Sequence, residues 1–174
     1  FSRCGPAVRP VSALIATDND AAHYRQCAGI LLLNGAGEIW VGERGDFPGS
    51  WQMPQGGIEA GEDPRTAAFR ELEEETGTAN VVFLAEATEW LKYDFPDELR
   101  TRAWNGKWRG QMQKWFALQF LGVDDEIDVR GVDQPEFARW RWVSPEVVPS
   151  LIVDFKRPVY EAVIAEFDSI LSPA

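Results

Sequence analysis

Between Gly56 and Gly77 the chain reads GGIEAGEDPRTAAFRELEEETG, and no other stretch constrains it as tightly. A Gly-Gly turn leads to Glu62. Arg70-Glu71-Leu72 is then followed by Glu73, Glu74, Glu75, Thr76 and Gly77. The pattern predicts a helix over 65–76, with Pro64 tolerated near its first turn and Gly77 at its C-cap. On that helix Glu71, Glu74 and Glu75 stand at i, i+3 and i+4, on one face. Like charges so placed destabilise a helix, so folding alone does not favour them. A hard divalent cation reverses the sign of the argument. Mg²⁺ and Mn²⁺ take oxygen ligands, and carboxylates clustered on one rigid element suit them.

Composition sets the surroundings of that cluster. A chain of 174 residues has mass for one domain with a proper core, and no apolar run is long enough to cross a membrane. The net charge is −11, and seven of the 28 acids fall between Glu59 and Glu75, which marks a local acidic site. Such a chain repels a polyphosphate at long range. Recognition then has to come from bound metal and a few placed cations, and non-specific nucleic-acid binding is not expected. Two cysteines, Cys4 and Cys27, make no disulfide framework, and Cys27 reads as a small core residue. The single histidine, His23, excludes a His-rich zinc site, and there is no P-loop sequence. The start at Phe1 reads as a processed chain. Arg3 and Arg9 precede the first acid, Asp18, so residues 1–22 are expected to form a flexible tail. That tail is either a transit-peptide remnant, placing the protein in a chloroplast or other organelle, or an unremarkable extension of a cytoplasmic one. Residues 23–174 then form the domain.

Periodicity supplies the rest of the organisation. CAGILLL at 27–33 reads as a buried strand, Asn34-Gly35-Ala36-Gly37 as a hairpin turn and 39–43 as the returning strand. Further strands are expected from Val81 to Trp90, over 115–123 and over 137–143, where Trp140 and Trp142 share a face. Tyr160, Val163, Ile164, Phe167, Ile170 and Leu171 follow helical spacing as a core stripe. Strands first, a helix in the middle and a helix at the end predict an α+β fold with a mixed sheet.

The spacing Gly, five residues, Glu, seven residues, Arg-Glu-apolar-any-Glu-Glu-any-Gly-apolar resembles the Nudix box, the signature of hydrolases that cut a nucleoside diphosphate linked to another group. Gly56, Glu62, Arg70, Glu71, Leu72, Glu74, Glu75 and Gly77 match it, and Thr78 stands where an aliphatic residue is usual. The resemblance implies a layered α/β/α fold, with a mixed sheet between helices and a metal-binding loop-helix at 56–77. Outside the box, WQMPQGGIEAGEDP, WLKYDFP, GQMQKWF, PEF leading to WRW, FKR and Tyr24-Arg25 are similar to one branch of the family. That branch holds the bacterial RNA 5′-pyrophosphohydrolases and the plant-type diadenosine tetraphosphate hydrolases. The likeness spans residues 24–171.

Taken with that resemblance, the residues divide into roles. Glu71, Glu74, Glu75, Glu136 and Gly56 are the expected metal ligands for Mg²⁺ or Mn²⁺. Glu74, Glu71, Arg70 and Glu136 form the catalytic set, Arg70 anchoring the glutamates and one carboxylate taking a proton from water. Without the resemblance Arg70 is an ordinary surface ion pair and Glu136 a strand-edge acid. Tyr93 either stacks on adenine or is a core tyrosine. Arg25, Arg44, Lys114 and Lys156 are candidates to hold phosphates, and Gln55 and Gln113 are polar contacts. Trp104 and Trp108 lie in a glycine-containing loop placed to cover the nucleotide.

The leading expectation is hydrolysis of diadenosine tetraphosphate to ATP and AMP, because Tyr93-Asp94-Phe95-Pro96 has the acid-Phe-Pro pattern of the plant-type members. The alternatives are RNA 5′-pyrophosphohydrolysis, hydrolysis of a nucleotide such as guanosine tetraphosphate, or a binding module without catalysis. The expected partner is a small nucleotide or an RNA 5′ end, with no membrane and no obligate protein partner.

Overall fold

The apolar run at 27–33 lies at the centre of a sheet because both of its faces are covered. In the computed structural model, which describes residues 10–172, it belongs to β1 (Tyr24–Leu33). The Asn34 side-chain oxygen accepts from the backbone N–H groups of Ala36 (3.0 Å) and Glu38 (2.9 Å), which closes the turn into β2 (Ile39–Arg44). Leu33 then pairs with Ile39, antiparallel. β3 (Trp51–Gln52) follows β2, and β4 (Gln55–Gly57) lies antiparallel to the first half of β1, with Ala28 opposite Gly56. The predicted helix is α1 (Pro64–Thr76). β5 (Val81–Glu86) and β6 (Leu91–Asp94) come next, then the short α2 (Asp97–Arg100) and a 3-10 turn at Ala103–Gly106. β7 (Gly110–Phe120) runs parallel to β1, from Tyr24 opposite Gly110 to Leu33 opposite Gln119. β8 (Phe137–Val143) pairs with β2, and α3 (Val148–Leu151), α4 (Arg157–Glu166) and α5 (Asp168–Leu171) end the described chain.

One sheet therefore runs β3-β2-β1-β7-β5, with β4 beside β1, β6 beside β7 and β8 beside β2. Among the described residues only the β1–β7 pairing is parallel, so the sheet is mixed, as expected. Alternation along β1 feeds two cores. Ala28, Ile30 and Leu32 pack with Phe116 and Leu118 under Ala67, Ala68 and Leu72 of α1. Leu31 and Leu33 pack with Trp115 under Val159, Tyr160 and Val163 of α4. A strand covered on both faces reads as a continuous apolar run, which is the pattern at 27–33. At Gly29 a Cβ would fall on the Trp115 ring, so glycine there lets the indole lie against β1.

Four expectations are corrected. The strand expected over 115–123 is β7, Gly110–Phe120. The strand expected over Val81–Trp90 ends at Glu86, and a separate β6 starts at Leu91. The last helix stops at Phe167 (φ −97°, ψ 15°) and resumes as α5, although Tyr160, Val163 and Phe167 stay buried. The flexible tail does not extend to residue 22. Leu14 is buried, Ile15 bridges to Leu91, Ala16 donates to the Trp90 carbonyl (2.8 Å) and Asp20 pairs with Lys92 (2.9 Å). Arg3, Cys4 and Arg9 lie outside the described residues. Cys27 is buried and His23 exposed. No described helix is long and apolar enough to cross a membrane.

Candidate functional site

α1 is set in place at both ends. The Asp63 side chain accepts from the Thr66 N–H (3.2 Å), Pro64 takes the first turn, and Gly77 closes the helix at φ 79°. The last turn carries Glu73, Glu74 and Glu75, at the end where the helix dipole is already negative. One guanidinium answers much of that charge. Arg70 donates Nε and Nη2 to the two oxygens of Glu62, each at 2.8 Å, and Nη2 to the Gly57 carbonyl at 2.9 Å. Its Nη1 reaches Glu71 Oε1 (2.9 Å) and Glu74 Oε2 (3.1 Å). The Arg70 hydrogen bonds hold the Glu62 carboxyl down at about 2. Arg70 thus ties the glycine turn to the acidic face.

Glu71 and Glu75 point inward. A Cβ on Gly56 would fall on the Glu71 carboxylate, so glycine at that position lets the acid lie against β4. Burial raises the Glu71 carboxyl, Arg70 opposes the rise, and Glu74 and Glu136 add to it. Glu75 is 3% exposed. Its Oε2 accepts from the Gln55 N–H (3.1 Å), while its Oε1, also buried, has no hydrogen-bond partner among the described residues. Burial first, then Glu136 and Glu71, push its carboxyl well above the usual range. A buried carboxylate with an unsatisfied oxygen and acidic neighbours is stable in its charged form only beside a cation, so this donor set fits a divalent ion.

The three box glutamates do not converge equally. Glu71, Glu74, Glu75 and Glu136 line one acidic cleft with Asp133, but the Glu74 side chain is 57% exposed at its edge. Among the described residues no three carboxylates form a ready-made cage, and Arg70 holds Glu71 and Glu74 in ion pairs.

A second cleft, of about 600 Å³, shares Glu71 and Glu136 with the acidic one. Arg25, Arg44, Gln55, Tyr93 and Lys156, all expected at the site, line it. Lys156 is buried, donates to Gln52 Oε1 (3.3 Å), and is held down to about 8 by burial and then by Arg44. Arg44 pairs with both oxygens of Asp46 (3.0 and 2.7 Å). The Arg25 guanidinium carbon sits 4.8 Å from the Trp104 ring centre.

Lys114 does not join this group. Strand side chains alternate, and Lys114 takes the face of β7 opposite Gln111 and Gln113, where it donates to the Thr88 carbonyl (3.1 Å) and faces Glu86 (3.7 Å). Tyr93 is a wall rather than a free stacking face. It is 5% exposed, its hydroxyl donates to Gln111 Oε1 (2.8 Å), and its ring lies 5.7 Å from that of Phe155. Trp108 packs against the α4-side core, leaving Trp104 as the loop tryptophan that lines the cleft. Gln52 and Gln111 were not singled out from sequence. Their signal was available: polar residues inside otherwise buried strands.

The NUDIX domain family matches residues 23–163, most of the described chain. The chain belongs to the Nudix family. With this stands the expected enzyme class, a Nudix pyrophosphohydrolase. The RNA pyrophosphohydrolase of Rhodospirillum rubrum is 54% identical over 150 residues, 86% of this chain and 90% of that protein. A plant relative, chloroplastic Nudix hydrolase 26 of Arabidopsis thaliana, is 48% identical over 153 residues, 85% of this chain and 71% of that one. Among solved structures, a C. elegans Ap4A hydrolase binary complex superposes with TM-score 0.60 at 19% identity, over 82% of this chain and 98% of that one, a likeness of fold.

Proposed function

We propose that this Nudix enzyme removes pyrophosphate from the 5′ end of triphosphorylated RNA, with Mg²⁺ or Mn²⁺ held by Glu71, Glu74, Glu75, Glu136 and the Gly56 carbonyl. The observation that carries the reading is the wall shared by the two clefts. Glu71 and Glu136 belong to both, so carboxylates and the cations Arg25, Arg44 and Lys156 face one volume. A triphosphate needs both kinds of partner, and the relative named RNA pyrophosphohydrolase supports RNA as what bears it. The metal, when bound, neutralises phosphate oxygens and lowers the pKa of a water. The chain's own groups then orient and accept. Arg70 fixes Glu71 and Glu74, and one glutamate takes the proton of the attacking water. Lys156, Arg44 and Arg25 hold oxygens of the departing pyrophosphate and of the RNA end.

The dinucleoside polyphosphate reading, ranked first from sequence, keeps one observation in its favour: Trp104 adds an aromatic wall to the cleft. Its sequence signature is weaker in place, since the Asp94 oxygens accept from Tyr24 and Arg109 within the fold. The deciding experiment is kcat/KM for triphosphorylated RNA, diadenosine tetraphosphate and guanosine tetraphosphate under one Mg²⁺ and salt condition. RNA is expected to lead by at least about tenfold, or ~1.4 kcal/mol of transition-state binding. A lead of that size for diadenosine tetraphosphate overturns the reading.

A further inference from the structure

We propose that Trp104 is a nucleobase-stacking shelf at the mouth of the cleft, a subsite separate from the groups that hold phosphate. The proposal rests on the RNA reading for the identity of its occupant and on four observations for its place. Trp104 lines the cleft while remaining 45% exposed, beside Phe95, which is nearly buried. The Phe95 and Trp104 rings are stacked, with centroids 5.7 Å apart and planes 16° from parallel. Arg25, itself in the cleft wall, brings its guanidinium carbon to 4.8 Å from the same indole. The backbone that presents the ring is strained: Trp104 (φ 48°, ψ 39°) and Asn105 (φ 55°, ψ 32°) are both left-handed, followed by Gly106 at φ 73°. Among the described residues these two are the only non-glycine positions with positive φ.

Strain of this kind persists where the surroundings impose it, and it gathers at ligand clamps. Here it does not serve to bury the ring. With Phe95 stacked on the indole and Arg25 over it, the 45% of Trp104 that stays open is the part of the ring left to offer an apolar surface at the mouth of the cleft. A nucleobase is the flat group that a phosphate-bearing ligand carries, and stacking accepts any base because each has a π-face. Arg25 links the two functions. Its charge sits against the ring and faces the volume shared with Lys156 and Arg44, so one nucleotide can place its phosphate at Arg25 and its base at Trp104.

The test compares three triphosphorylated dinucleotides: intact, abasic at the first nucleotide and abasic at the second. Trp104→Ala is expected to lower kcat/KM on the intact substrate by about tenfold, mostly through KM, within the range of base stacking. On one of the two abasic substrates it should match the wild type, because the base it would stack is already gone. Trp104→Phe, which keeps a π-face, should retain most of the wild-type kcat/KM on the intact substrate. Asn105→Gly, which accepts the left-handed backbone and leaves the ring in place, should leave all three substrates unchanged. Equal losses on all three substrates, or no loss on the intact one, would overturn the shelf. If the wild type leaves triphosphorylated RNA uncut, the proposed activity falls separately. The shelf is then read by calorimetry, where Trp104→Ala must weaken ATP and spare inorganic tripolyphosphate; equal weakening of both, or of neither, overturns it.

Discussion

Glu75 is the residue whose environment makes least sense without a cation. It is buried at the negative end of α1, one oxygen lacks a partner among the described residues, and its carboxyl is pushed up by burial. Glu75→Gln removes that liability, so in the presence of chelator the variant should melt above the wild type. With Mg²⁺ the order should reverse, since saturation at about 100 times Kd adds roughly 2.7 kcal/mol to a chain that keeps its ligands. Turnover should fall by about 10³, because a ligand and its charge are both lost. Melting curves with and without Mg²⁺ check the first part, and equal metal stabilisation of the two proteins would remove Glu75 from the ligand set. Lys156 makes a pH prediction. Its ammonium is held down to about 8, chiefly by burial, so the charge proposed to grip phosphate is lost as pH rises through 8. KM for triphosphorylated RNA should climb above pH 8, and Lys156→Arg, charged throughout, should flatten that limb. The stability contribution has the opposite direction. The unfolded lysine keeps its proton up to its ordinary value of 10.5, so between about 8 and 10.5 the unfolded chain binds more protons and Lys156's contribution to stability rises with pH.

Among the elements, the loop-helix from Gly56 to Gly77 was legible because its signals are local. Asp63, Pro64 and Gly77 mark the helix ends by themselves, and the i, i+3, i+4 acids follow from helical geometry. Gly77→Ala tests the C-terminal signal. A left-handed alanine costs roughly 1–2 kcal/mol, and its Cβ would meet the Asp128 carbonyl oxygen at 3.3 Å. The melting temperature should drop while kcat per folded molecule holds; an unchanged melting temperature would show that the cap relaxes freely. β1 was legible for the same reason, as a continuous apolar run. What sequence did not yield depends on partners far along the chain. β4 is three residues long and has no periodicity, and it exists because β1 offers it an edge. The direction of Lys114 depends on the register of β7, and the alternation that sends Gln111 and Gln113 toward the cleft wall sends Lys114 to the other side. The helical stripe at 160–171 hid the break at Phe167, because the apolar residues keep facing the core across it. Residues 10–22 carry no strong pattern, and their place follows from Leu14, Ile15 and Asp20 meeting β6 and its approach.

At the scale of the whole molecule, net charge and local charge oppose each other. The chain carries −11, while the cleft presents Arg25, Arg44 and Lys156, of which Arg44 already pairs with Asp46. A protein that holds nucleic acid through many phosphate contacts loses affinity steeply with salt, because each contact releases counterions. Under the proposed function three cleft cations can grip few phosphates, and each added nucleotide brings charge toward a chain of the same sign. Salt screens that repulsion over about 10 Å at 0.1 M, which is long range compared with contacts inside the cleft. Lengthening the RNA from about two to about twenty nucleotides should therefore leave kcat/KM level or lower it at low salt. Raising KCl from about 50 to about 200 mM should then help the long substrate relative to the short one. Steady-state kinetics on the two lengths across that range check this. A long RNA that outperforms the short one at low salt and loses its advantage as salt rises would reveal a cationic track beyond the cleft, and the three cations would no longer account for how the enzyme holds its substrate.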